Sequence, residues 1–155
     1  MRRVVIRAGL AFLVVLLAIQ LKQPDRTNPP VDPSQSLERH LPVPAAVSDV
    51  LDRACRDCHS SETRWPAYAY VAPISWDVAG HVREGREAMN FSEWGRYDSD
   101  KAQDLLLEMC RRVRKGEMPL ASYARLHRTA RLAPPDVERL CQWTSETRKA
   151  LRAAE

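Results

Sequence analysis

Five residues, Cys55-Arg56-Asp57-Cys58-His59, constrain this chain more than any other feature. Thiols at i and i+3 lie on one side of a helical turn, so both can add across the vinyl groups of one haem. The histidine that follows at once is placed to ligate the iron from the same side. This C-x-x-C-H spacing is the attachment signal of c-type haem. Competing uses of the same residues fail on context. A thioredoxin-like site needs a preceding strand in a βαβ unit, and a zinc site needs a second ligand pair at regular spacing. Neither occurs. Eleven prolines and only five glycines argue against a turn-rich all-β design, and an apolar fraction of 45% excludes a collagen-like or wholly disordered chain. The expected fold class is all-α, a small helical cytochrome domain packed around one covalently held haem c.

The first 22 residues read as a separate segment. Arg2, Arg3 and Arg7 precede a charge-free run from Ala8 to Leu21. Fourteen such residues match a signal-peptide core, and adding Val4, Val5 and Ile6 lengthens the stretch toward a membrane span. No small-x-small cleavage site follows, so an uncleaved anchor is expected over a removed signal. Basic residues ahead of the run place the N-terminus in the cytoplasm and the body outside it. The expectation is a bacterial inner-membrane protein with one transmembrane helix and its haem domain in the periplasm. Without these three arginines the remainder holds 21 basic against 20 acidic residues. That near-balance excludes a nucleic-acid partner, which requires a concentrated basic face.

Residues 23–44 hold six of the prolines and read as a semi-rigid spacer, or as a segment wrapping the domain. Residues 45–155 then form the haem domain. One helix is expected from Val47 to Cys58, with Val47, Val50, Leu51 and Ala54 on one face. Pro73 opens a second, reaching about Met89. Ser99 or Asp100 caps a third, striped by Ala102, Leu105, Leu106, Met109, Cys110 and Val113, and Gly116 closes it. Pro134-Pro135-Asp136 opens the last helix, followed by a charged tail from Glu146. Cys110 and Cys141 fall on inward stripes, and in an oxidising compartment such a pair commonly bridges. Two separate buried thiols are the alternative.

Beyond His59 the iron needs a second axial ligand or an open position. Met118 is the leading candidate, in a loop between Gly116, which ends a helix, and Pro119, which stiffens the chain. Met89, Met109, His40, His81 and His127 are the other candidates; Met109 sits among leucines and suits core packing, and His127 is the nearest rival. Thioether with imidazole raises the reduction potential relative to two imidazoles. Trp65, Tyr68 and Tyr70 are expected to wall the haem. Arg64, Arg83 and Arg86 either neutralise a propionate or are solvated surface. The turn Asn90-Phe91-Ser92-Glu93-Trp94 is expected to lock through side-chain hydrogen bonds.

Several of these segments, in order, resemble the haem-binding domain family of exported single-haem c-type cytochromes. The resemblance rests on Asn28-Pro-Pro-Val31, Cys55-Arg-Asp-Cys-His-Ser-Ser-Glu-Thr-Arg-Trp-Pro66 and Tyr68-Ala-Tyr-Val-Ala-Pro-Ile-Ser-Trp76. It continues through Val82-Arg-Glu-Gly-Arg86, Asn90-Phe-Ser-Glu-Trp94, Gly116-Glu-Met-Pro-Leu-Ala-Ser-Tyr123 and Leu140-Cys-Gln-Trp143. It implies haem binding and electron transfer, and leaves the redox donor and acceptor undefined. A one-electron carrier with His59 and Met118 on the iron is the leading expectation. The alternative, from a different class, is a haem enzyme or sensor that takes peroxide or a gas at an open or displaceable sixth position.

Overall fold

The computed structural model describes residues 1–154; Glu155, the last residue of the expected haem domain, lies outside them. The described residues form helices and loops with no strand, as the all-α expectation requires. Eight α-helices follow one another: α1 (Arg2–Ile19), α2 (Leu37–His40), α3 (Ala45–Ala54), α4 (Arg56–His59), α5 (Ile74–Ala88), α6 (Ser99–Arg114), α7 (Ala121–Leu126) and α8 (Pro134–Ala153). Short 3-10 turns lie at Pro33–Gln35, Ala67–Tyr70, Phe91–Arg96 and Arg128–Ala130.

The core forms where the apolar stripes meet. Ala102, Leu105, Leu106, Met109 and Val113 recur at helical spacing on α6, and that stripe packs along α8. α3 lies on α8 as well, contributing Val47, Val50 and Leu51, while Phe91 and Trp94 close one end. A disulfide joins Cys110 of α6 to Cys141 of α8, with Cα atoms 4.9 Å apart. An Arg53–Asp136 ion pair at 2.7 Å adds a second tie between α3 and α8.

Several boundaries differ from the sequence reading. The expected helix from Val47 to Cys58 is two helices, because Cys55 leaves helical geometry at φ −127°, ψ −43°. The cap of α6 is Asp98, whose side chain accepts from the Lys101 amide at 2.8 Å, one residue before Ser99. A side-chain acceptor at that position satisfies a donor that the first turn leaves unpaired. The charged tail continues α8, where buried Thr147 and half-buried Leu151 still face the body.

Residues 23–44 wrap the domain, the second of the two arrangements weighed above. Leu37 is fully buried and Leu41 nearly so. Burying one leucine stabilises by roughly 2 kcal/mol, enough to hold a short segment against its surface. Polar ties add to this, with Asn28 donating to the Thr63 carbonyl at 3.0 Å and Trp143 to the Pro42 carbonyl at 2.9 Å.

The N-terminal segment also departs from expectation. α1 has 18 residues and buries none of them. Arg2, Arg3 and Arg7 all fall within it, and no helix among the described residues is long and apolar enough to cross a membrane. The structure therefore does not support the expected single-pass span; α1 is an apolar helix with most of its side chains exposed.

Candidate haem site

Sequence-local geometry builds the first wall of the site. Once Cys55 ends α3, its carbonyl accepts from the amides of Cys58 (3.1 Å) and His59 (2.9 Å), closing a single new turn. That turn carries both thiols and the imidazole into one cavity of about 420 Å3. α5 forms a second wall through His81, Glu84, Gly85 and Ala88, continued by Met89 just past its end; α6 forms a third through Leu105, Glu108, Met109, Arg112 and Val113. Met118, Pro119 and Leu120 close it from the loop before α7, and Tyr123 from α7 itself.

Close contact between α4 and α5 depends on Gly85. A Cβ there would stand 2.5 Å from the Cys58 carbonyl oxygen and 3.0 Å from its carbon. Both are backbone atoms that cannot swing aside, so only glycine lets α5 approach the cysteine turn. The approach also orients the imidazole. His59 Nδ1 donates to the Met89 carbonyl at 3.1 Å, which commits that nitrogen to carrying the proton. Nε2 is then left with a free lone pair, the form that ligates iron. Burial lowers the His59 pKa, outweighing its backbone hydrogen bonds, so the ring is neutral at pH 7. Burial likewise pushes Cys55 up to about 12 and Cys58 to about 11, keeping both as protonated thiols.

The x residue Asp57 holds the turn from behind. Its buried carboxylate accepts from the Tyr123 hydroxyl at 2.6 Å, the Arg64 Nε at 3.0 Å and the Arg64 amide at 3.2 Å. Burial, followed by this bond to Asp57, raises the Tyr123 pKa and keeps the phenol protonated as a donor. The loop after His59 is fixed through Asn90 and Ser92. Asn90 Oδ1 accepts from the Ser92 amide at 3.0 Å, and Ser92 Oγ accepts from the Ser61 amide at 3.1 Å. The expected lock at Asn90–Trp94 is thus present.

Met118 owes its position to the end of α6. Gly116, at φ 68°, takes the left-handed conformation that glycine adopts without a Cβ clash. Its amide bonds to the Val113 carbonyl and that of Glu117 to the Arg112 carbonyl, both at 3.0 Å. This paired closure turns the chain back so that Met118 faces the cavity.

The rivals divide. His81 lines the cavity, with its Nδ1 3.6 Å from Asp77. His127 does not; its Nε2 shares a 2.6 Å hydrogen bond with the Tyr68 hydroxyl, and its ring stacks on Tyr123 at 4.2 Å. His40 Nε2 is occupied by the Ser34 carbonyl at 2.9 Å. Met109 does double duty, buried in the core and lining the cavity.

One expectation fails here. Trp65, Tyr68 and Tyr70 do not wall this cavity: Trp65 lines a separate space of about 520 Å3 on the other side of α5, and Tyr70 is half exposed. Of the two readings of Arg64, Arg83 and Arg86, the propionate partner is not met, since none lines the cavity, while Arg64 and Arg83 are solvated surface, each 68% exposed. Arg86 is instead spent on structure, donating to Ser60 O, Thr27 O, Asn28 Oδ1 and Thr63 Oγ1. The arginine at the cavity is Arg112, paired with Glu108 and with Glu117. Asp57, Gly85, the Met89 carbonyl and Tyr123 were not singled out as site residues in the sequence. Only Gly85 left a signal, an isolated glycine inside a helical pattern.

The donor set and walls suit a haem. Two thiols, a neutral imidazole and a thioether open onto one mostly apolar space, and the polar side chains around it (Glu84, Glu108 and Arg112) are solvent-exposed. No cluster of three or more His, Cys, Asp or Glu among the described residues could hold a bare metal ion. The helical fold and this cavity define a haem-binding protein. The chain belongs to the haem-binding domain family, whose model matches residues 14–146. No curated protein and no solved structure matches it significantly.

Proposed function

We propose that the protein is a c-type cytochrome on the periplasmic side of the bacterial inner membrane that passes single electrons. Cys55 and Cys58 would form the thioether links, with His59 and Met118 as axial ligands. One observation carries this reading: the cysteine turn and the Met118 loop open onto the same cavity, with His59 Nε2 left free. The bound group would supply an iron that changes by one electron. The chain's part is to fix His59 through Met89 O, offer a neutral thioether, and exclude water with Leu105, Met109, Val113 and Leu120. α1 supports membrane association, since its exposed leucines, valines and phenylalanine are satisfied by lipid, and the family match begins within it at Val14. The Cys110–Cys141 bridge is consistent with an oxidising compartment.

The second reading, a peroxide- or gas-binding haem protein, is favoured by His81 at the cavity wall. Absorbance separates the two. The protein, produced with c-type maturation machinery, should keep its haem stain on a denaturing gel and show the weak far-red band of ferric iron bound to methionine sulfur. Met118→Ala should abolish the band and lower the reduction potential. A high-spin wild-type spectrum would favour the open-site reading, and loss of the stain would exclude covalent attachment.

A further inference from the structure

α1 does not leave the haem domain through a free linker. The Gln20 side chain pairs with both backbone groups of Ala72, Nε2 donating to its carbonyl at 3.0 Å and Oε1 accepting from its amide at 2.9 Å. Two residues on, the Lys22 carbonyl accepts from the Trp76 indole at 2.6 Å. These bonds seat the end of α1 on the segment 70–76, and that segment is where the domain is most apolar outside. Tyr70 and Val71 are each 52% exposed, Ile74 48% and Trp76 38%, with Leu21 at 89% beside them. Apart from these, Met1 and α1, the exposed large hydrophobics among the described residues are scattered singly at Val31, Leu107 and Leu126. Four large apolar residues exposed within seven positions mark a candidate interaction surface, whereas isolated apolar residues need no explanation.

The composition of the patch indicates its occupant. Tyrosine and tryptophan gather at membrane–water interfaces, where an apolar ring body meets a polar tip. Lys22 and Arg26 bring positive charge to the same edge, the Arg26 guanidinium lying 4.4 Å above the Tyr70 ring. Asp25, which accepts from Thr27, and Asp77, 3.6 Å from His81, stand nearby as carboxylates, so the two cations act singly on headgroups and the edge carries no net positive field. Anionic headgroups attract such cations by about 1 kcal/mol each.

From this arrangement we infer that Tyr70, Val71, Ile74 and Trp76 form a docking rim that rests in the interface of an anionic phospholipid bilayer, beside the point where α1 enters it. The inference rests on the membrane reading of α1 and extends it, because a tether alone leaves the domain free to tumble whereas a seated rim holds it in one orientation. α5 links the two functions, with Ile74 and Trp76 at its start and Gly85 in the haem cavity. Eleven residues of helix span about 16 Å, so the rim also limits how far the haem stands from the lipid.

The test uses the full-length haem-loaded chain and vesicles of phosphatidylethanolamine with phosphatidylglycerol. Flotation reads membrane association, and haem EPR on oriented multilayers reads orientation. Wild type should float and give orientation-dependent spectra; Val71→Glu/Ile74→Glu should still float through α1 but lose the orientation dependence. Unchanged haem absorbance in the variant verifies its fold. An unoriented haem in floating wild type, or a variant as oriented as wild type, would overturn the rim. So would sedimentation without lipid in which the variant converts a dimer to monomer, since a second copy would then be the occupant. Wild type that does not float removes the membrane reading of α1 itself, and the rim with it.

Discussion

The chemistry of this site depends on three residues whose neighbours differ. His59 is useful because one nitrogen is spent on Met89 O and burial keeps the ring uncharged. Met118 is presented by the left-handed turn at Gly116 rather than by a helix. Asp57 is a buried carboxylate between the two cysteines, and three donors from Arg64 and Tyr123 offset the cost of its burial. Replacing it by asparagine keeps the shape but substitutes an amide, whose NH2 group cannot accept from Tyr123 or from Arg64. Asp57→Asn should therefore cost about 1–3 kcal/mol, read as a lower urea midpoint. A midpoint equal to wild type would show that Tyr123 and Arg64 find other acceptors at no cost.

At the level of elements, α5 is the organising helix. One of its faces meets the cysteine turn, its end supplies the carbonyl that orients His59, and its start carries Ile74 and Trp76. Gly85 is the point on which that packing turns. In an exposed helix, alanine would gain about 1 kcal/mol over glycine by propensity. Here the added Cβ meets the Cys58 backbone at 2.5 Å, and separating two packed helices outweighs that gain. Gly85→Ala should destabilise the protein by about 1–3 kcal/mol and reduce the yield of haem-stained protein, because His59 loses register with Met89. A raised melting temperature with full haem yield would mean that α5 is not clamped to α4 as described. The same approach is invisible to helical periodicity, which marks apolar faces and is blind to where a side chain must be absent.

Across the whole molecule, stability comes from few large elements, and the Cys110–Cys141 bridge ties the two longest helices of the domain. Closing a loop with a separation of 31 residues restricts the unfolded chain by about 3–4 kcal/mol in the chain-entropy account. Cys110→Ser/Cys141→Ser should lose stability of that order in denaturant titration, with little change in the haem spectrum, since neither residue lines the cavity. A spectrum that shifts with the bridge would mean that α6 moves within the site. The cysteine turn, the stripes of α6 and α8, the proline start of α8 and the Gly116 stop were readable in the sequence. Each depends on residues within a turn or two of one another, where the 3.6-residue period and local caps act. The wrapping of residues 23–44, the departure of the Trp65–Tyr70 aromatics from the haem, and the partners of His59 and Asp57 were decided by tertiary structure. Those contacts join residues 30, 66 and 101 positions apart, for His59–Met89, Asp57–Tyr123 and Pro42–Trp143. Local propensity carries no term for such pairs, because they exist only once the faces of α5, α7 and α8 have chosen their neighbours.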